Sequence, residues 1–219
     1  MATTAAQKEQ IRDVILTHAH LDHTAGLPLF IDDLFVSLDE PVRVYGTKEV
    51  IKILEENIFN WEIYPKFSEL KNKYGAVMQF VRIEHETEIF IKHLCIKPIE
   101  VNHEVHTVGF LISDDNSKIA ITGDTAETER FWEIVNGEKS PAAIFVECAF
   151  PDELEDLAFA SHHLTPSALR RELKKLRHAN CPVYVINMKP MYREQLVKQI
   201  GKLKIENLHI LEVGKVYEL

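Results

Sequence analysis

Four potential metal ligands lie within six residues near the start of the chain: His18, His20, Asp22 and His23. They follow residues 11–17, whose pattern predicts a buried strand. Side chains two residues apart on an extended segment project to the same side, so His18 and His20 can reach one point. Imidazole nitrogen and carboxylate oxygen together suit zinc, iron or manganese. The cluster therefore predicts a metal site at the end of this strand, and Thr17 is expected to support it through hydrogen bonds.

The hydrophobic pattern of the rest of the chain alternates between strands and helices. Strands are predicted at 41–45, 77–83, 88–91, 93–101, 107–112, 118–122, 142–147, 183–186 and 208–213. Helices are predicted at 25–35, 47–60, 127–135, 165–177 and 191–203, with Thr47 and Thr165 as caps and Pro166 in the first turn. Residues 61–75 are expected to be irregular. This order predicts antiparallel strands in the middle and α/β units at the end.

Length and composition suit one globular domain over residues 1–219. The chain is 46% hydrophobic and 27% charged, with a formal net charge of −9. This charge disfavours nucleic acid as a partner, and the densest basic group has the spacing of a solvated helix face: Arg170, Arg171, Lys174, Lys175 and Arg177. No apolar run reaches the roughly 20 residues that span a bilayer, and no signal peptide is expected.

The cysteine count indicates the compartment. Cys95, Cys148 and Cys181 are far apart and odd in number, so a disulfide framework is not expected. Cys95 and Cys148 lie in apolar runs and are expected to be buried thiols. The sequence therefore favours a reducing compartment such as the cytoplasm.

At the histidine cluster the sequence resembles a known family. His18-Ala-His-Leu-Asp-His23, followed by Thr-Ala-Gly-Leu27, is similar to the His-x-His-x-Asp-His signature of the metallo-β-lactamase superfamily. At Leu21 and at the Gly26-Leu27 ending, the motif is especially similar to that of class II cyclic-nucleotide phosphodiesterases and tRNA 3′-processing endonucleases. The resemblance implies an α/β (α+β) fold, a four-layer αββα sandwich with metals at one edge. Because several strands precede the motif in that family, the chain is expected to lack some N-terminal strands.

The resemblance also implies three ligands further along the chain. An isolated histidine after a mid-chain strand fits His103, with His106 as a competitor. A metal-bridging aspartate in a Gly-Asp-Thr context fits Asp124, which could instead cap a helix starting near residue 126. A late histidine before Leu-Thr fits His163, and its neighbour His162 could contact substrate or orient a ligand.

The implied centre holds two divalent metal ions, with zinc expected and manganese or iron as alternatives. One ion would bind His18, His20 and His103, the other would bind Asp22, His23 and His163, and Asp124 would bridge them. A hydroxide shared by the ions would attack phosphorus in line with the leaving alkoxide. Within this set, Asp22 and His163 are the predicted catalytic residues. His162 and His106 are the predicted substrate contacts.

The function implied is a metal-dependent phosphodiesterase acting on a small phosphodiester such as a cyclic nucleotide. One alternative is a tRNA 3′-end endonuclease, which the charge of −9 disfavours. Others are hydrolysis of a lactone, thioester or sulfate ester, since fold and metals do not fix the substrate. A short N-terminus also leaves open a metal-stabilised protein without activity. No membrane partner is expected, and an exposed sheet edge would favour a homo-oligomer.

Overall fold

A computed structural model of the protein describes residues 4–218, which divide into two compact units, the first ending at Glu84 and the second beginning at His85. The prediction of one domain over residues 1–219 stays a prediction. None of the helices formed by residues 4–218 is both long and apolar enough to cross a membrane.

The first unit has a parallel sheet of three strands and four helices. Its elements are α1 (Ala5–Lys8), β1 (Asp13–Ile15), α2 (Leu21–Thr24), α3 (Gly26–Leu34), β2 (Val42–Gly46), α4 (Lys48–Asn57), β3 (Lys71–Asn72), β4 (Gly75–Ala76) and β5 (Met78–Arg82). The sheet order is β1-β2-β5, while β3 and β4 form a separate antiparallel hairpin. All of this hairpin except Ala76 lies within residues 61–75, so the prediction that this segment is irregular is wrong for its last five residues.

The core of the first unit lies between its sheet and its helices. Val42 and Val44 of the central strand are fully buried, and α3 contributes Phe30 and Ile31 to the same cluster. The predicted cap of α4 is confirmed, because the Thr47 hydroxyl accepts the amide of Val50 at 3.4 Å. This packing holds the end of β1, which leads into the histidine cluster.

The second unit is built on a sheet of seven strands. Its elements are β6 (Ile89–Ile91), β7 (Leu94–Glu100), β8 (Val108–Ser113), β9 (Lys118–Ile121), α5 (Arg130–Gly137), β10 (Ala143–Glu147), α6 (Glu155–Ala160), α7 (Pro166–Leu173), β11 (Val183–Ile186), α8 (Arg193–Lys202) and β12 (Leu208–Ile210). The order β12-β11-β10-β9-β8-β7-β6 is antiparallel from β6 to β9 and parallel from β9 to β12. The predicted change from antiparallel strands to α/β units is confirmed.

The direction of these strands brings several loops to one edge of the sheet. β9, β10 and β11 run parallel, and β7 runs in the same direction because β8 is antiparallel to both β7 and β9. Asp124 follows β9, Glu147 ends β10, Asn187 follows β11 and His103 follows β7. Their side chains therefore meet at the carboxyl edge of the sheet, where ligand sites of α/β sheets form.

Several element boundaries differ from the prediction. The helix predicted from residue 127 begins at Arg130 with Glu129 as its N-cap, so the alternative reading of Asp124 as a helix cap is wrong. The helix predicted to reach residue 177 ends at Leu173. Cys148 is buried as expected, but Cys95 is only half-buried, because it lies near the end of the sheet with β6 as the outer strand.

Candidate metal centre

The histidine rings of the first unit converge at the end of β1. His18 is fully buried, and its Nε2 lies 3.1 Å from Nδ1 of His20. Its ring centroid lies 4.2 Å from that of His23. Nitrogen donors of one tetrahedral zinc ion lie about 3.3 Å apart, since Zn–N bonds are about 2.0–2.1 Å. The spacing of the His18 and His20 nitrogens therefore fits two donors to one cation.

Local structure explains how the four residues of the motif are held. Thr17 Oγ1 lies 3.0 Å from Nδ1 of His18, which confirms the predicted support. The buried Thr24 donates from its hydroxyl to the carbonyl of His20 at 3.1 Å. Asp22 and His23 lie in the short helix α2, with Asp22 Oδ2 3.9 Å from His23 Nε2. The Asp22 side chain is 58% exposed, so its carboxylate is open to solvent.

The second unit contributes its own group of ligand-type side chains. One ligand atom from each of His103, Asp124 and His163 lies within 4.8 Å of the other two. The ring centroids of His103 and His163 are 5.1 Å apart, and Asp124 is buried with 2% of its surface exposed. Two imidazoles and one carboxylate are a donor set that zinc, iron and manganese accept. The residues present therefore fit a divalent cation, and the preference for His103 over His106 stays a prediction.

Glu147 is a member of this site that the sequence did not reveal. Its side chain is fully buried, and Oε1 lies 2.6 Å from Nδ1 of His163. Burial raises the pKa of Glu147, while the hydrogen bond from His163 opposes that rise. A carboxylate at Nδ1 holds the ring proton there and leaves Nε2 as a metal donor. The signal available in the sequence was a single acidic residue, Glu147, at the end of an otherwise apolar strand.

The same carboxylate is bound by three backbone amides. The amide of Thr125 donates to Oε1 at 2.8 Å, and the amides of Ala149 and Leu164 donate to Oε2 at 3.1 and 3.2 Å. Thr125 follows Asp124 and Leu164 follows His163 in the chain. Glu147 therefore fixes the backbone beside both ligand-type residues.

His162 acts on His103 through its backbone. Its carbonyl oxygen lies 2.9 Å from Nδ1 of His103, and its own φ of 50° is in the left-handed region. The His162 ring lies between Asn102 Oδ1 at 3.0 Å and Glu104 Oε2 at 3.3 Å. The His162 carbonyl thus orients the His103 ring, and the predicted substrate contact of His162 stays a prediction.

Asn187 is a second residue that the sequence did not single out. Its Nδ2 donates to Oδ1 of Asp124 at 2.5 Å, and its φ is 53°. Asparagine tolerates this left-handed conformation better than most residues. The amide therefore orients the carboxylate that is expected to bridge two ions.

His106 contacts His85, a residue for which the sequence predicts no functional role. Nε2 of His106 lies 2.8 Å from Nε2 of His85, with the two rings perpendicular. The predicted substrate contact of His106 stays a prediction.

Comparison with known families decides the assignment. Residues 2–185 match the family model described as the beta-lactamase superfamily domain. The chain belongs to the beta-lactamase superfamily. Among solved structures, unliganded yeast PDE1 superposes with a TM-score of 0.81 at 20% identity, covering 97% of this chain and 71% of that one. The metallo-beta-lactamase fold protein YhfI of Bacillus subtilis gives 0.76 at 17% identity, covering 98% and 80%. The expected fold is confirmed.

Curated relatives of this superfamily chain carry more specific names. A "Probable 3′,5′-cyclic-nucleotide phosphodiesterase" of Yersinia pestis is 26% identical over 85% of this chain and 60% of its own length. A 3′,5′-cyclic-nucleotide phosphodiesterase of Aliivibrio fischeri is 27% identical over 79% and 56%. The chain thus spans little more than half the length of the curated relatives it matches.

Proposed function

We propose that this superfamily chain is a metal-dependent hydrolase that cleaves a small phosphodiester of the cyclic-nucleotide type. The observation that carries the proposal is the group of His103, Asp124 and His163, with the His163 tautomer set by a buried carboxylate. The printed names of the curated relatives support the choice of a phosphodiester.

We propose that the seven predicted ligands hold two divalent ions. One ion would bind His18, His20 and His103, the other would bind Asp22, His23 and His163, and Asp124 would bridge them. Zinc is the first choice, because imidazole dominates the donor set. When bound, such ions neutralise charge on phosphoryl oxygens and lower the pKa of water.

The roles of the protein's own side chains follow from their contacts. Glu147 holds a proton at Nδ1 of His163 and orients its ring. The His162 carbonyl does the same for Nδ1 of His103. Asp22, with its exposed carboxylate, is proposed to exchange protons with solvent during turnover, and His163 is proposed as the second catalytic residue.

A small substrate agrees with the charge of the chain. At a net charge of −9, affinity for a long phosphate backbone is disfavoured, whereas a single diester group needs only the local charge of bound ions. The three cysteines are free thiols, which supports the proposed location in a reducing compartment such as the cytoplasm. We also propose that copies of this chain can form a homo-oligomer.

The test combines metal content with turnover. Protein purified without chelators is analysed for bound metal and assayed against cyclic AMP, cyclic GMP, an aryl phosphodiester, a lactone and precursor tRNA. We expect bound divalent metal and cleavage of a cyclic or aryl diester, with activity lost in Asp124→Asn. The matched control is Asp115→Asn, which changes an exposed carboxylate. Metal-loaded protein that cleaves no phosphodiester would overturn the proposal, and cleavage of precursor tRNA alone would favour the endonuclease.

A further inference from the structure

A second pocket of about 290 Å³ opens on the second unit, away from the ligand-type residues. It lies beside α7, the start of β11 and the segment between α8 and β12. Val183, the first residue of β11, lines it, whereas Asn187 follows the last residue of that strand. The pocket and the candidate metal centre therefore lie at opposite ends of the same strand.

The wall of this pocket is mostly apolar, although His178 and Asn207 also line it. Its apolar part is formed by side chains from three parts of the unit, Leu173, Leu176, Val183, Leu203 and Ile205. Val183 is buried, while the two leucines Leu173 and Leu176 pack against the core of the unit and keep part of their surface open. Its volume lies just below the roughly 300–1,000 Å³ of pockets that bury drug-sized ligands, which suits a short aliphatic chain.

Two cations stand at the rim of the pocket. Arg170 and Lys174 both line it and are exposed, four residues apart at the end of α7. Within residues 4–218 neither has an acidic partner at ion-pair distance, whereas their neighbours Arg171 and Lys175 bind Glu127 and Glu172. The negative end of the helix dipole stabilises such unpaired cations. They are thus available to an anionic group that sits over the apolar wall.

We propose that this pocket binds a small amphiphilic anion, with its carboxylate on Arg170 and Lys174 and its aliphatic tail on the leucine wall. The apolar wall alone would accept any oily group, and the two cations alone would attract any anion. Their combination selects molecules that carry both features. The site is independent of the proposed hydrolase activity.

The test is calorimetric titration of the full chain with octanoate, run on chelator-treated protein so that bound metal cannot receive the carboxylate. We expect saturable binding of one octanoate, with affinity falling about fourfold for each methylene removed in hexanoate and butanoate. Octanol, which lacks the charge, is expected to bind at least about tenfold more weakly.

Variants separate this site from general surface charge. Arg170→Gln and Lys174→Gln are each expected to weaken octanoate binding about tenfold while leaving octanol unchanged. Lys198→Gln, an exposed lysine of α8 outside the pocket, is the matched control and should bind like the parent. Ala179→Phe narrows the pocket at an exposed position and should abolish the dependence on chain length. Absence of saturable binding, equal affinity for octanol, or an equal loss in Lys198→Gln would overturn the proposal.

Discussion

Nδ1 of His163 lies 2.6 Å from Oε1 of Glu147, a carboxylate with no exposed surface. Three backbone amides bind the same carboxylate, and two of them follow the ligand-type residues Asp124 and His163 in the chain. Glu147 therefore sets the ring proton of one ligand and the backbone position of two.

Replacing Glu147 with glutamine tests that role. The amide keeps the size of the side chain, but its NH₂ group can face Nδ1 of His163 and move the ring proton to Nε2, where it blocks a metal. We expect metal affinity to fall about 10–100-fold in Glu147→Gln. Competition titration with a chromophoric chelator measures the affinity, and circular dichroism checks the fold. Glu206→Gln, at an exposed position, is the control. Unchanged metal affinity in folded Glu147→Gln would remove Glu147 from the site.

Asn187→Asp tests the contact between Asn187 and Asp124. Aspartate also tolerates the left-handed backbone, so the change places a second carboxylate beside Oδ1 of Asp124 without new strain. Like charges in contact cost on the order of several kcal/mol, and a cation between them removes that cost. We expect a lower free energy of unfolding in chelator and recovery with zinc, measured by urea denaturation.

The control for this experiment is Asn180→Asp, which adds the same charge at an exposed position. It should change the free energy of unfolding little in either condition. If Asn187→Asp lost the same stability with and without zinc, the proposed position of Asp124 beside a cation would be wrong.

The backbone of His162 allows a paired test of its orienting role. At a φ of 50°, a residue with a Cβ atom such as histidine or alanine pays about 1–2 kcal/mol, whereas glycine adopts this conformation freely. Both changes remove the ring but keep the carbonyl that faces His103. We expect His162→Gly to unfold at a Tm several degrees above that of His162→Ala and to bind zinc more tightly, because alanine keeps the backbone penalty that glycine relieves. Thermal unfolding and zinc titration measure the two effects. Equal behaviour of the two variants would show that the left-handed backbone does not position the carbonyl.

The sequence predicted those features that depend on local spacing. The histidine cluster after a strand, the caps Thr47 and Thr165, and the change from antiparallel to parallel strands were all visible in short stretches of chain. Each of these features depends on residues that are close together in the chain. The periodicity of the sequence reflects such local relations directly.

The features that were missed depend on contacts between distant residues. Glu147 meets the Thr125 amide across 22 residues, and Asn187 meets Asp124 across 63. The start of α5 is similar, because the Thr128 amide donates to buried Glu172, 44 residues away, and the helix begins only after it. The contact of the His162 carbonyl with His103 depends on the left-handed φ of His162, which residue spacing alone does not predict.

The central proposal is that the seven predicted ligands hold one pair of ions. Anomalous X-ray diffraction at the zinc absorption edge, from crystals grown with zinc, tests it most directly. The account predicts two peaks roughly 3.5–4 Å apart. They should be bound by His18, His20, Asp22, His23, His103, Asp124 and His163. Peaks confined to one histidine group, or two peaks far apart with separate ligands, would contradict it.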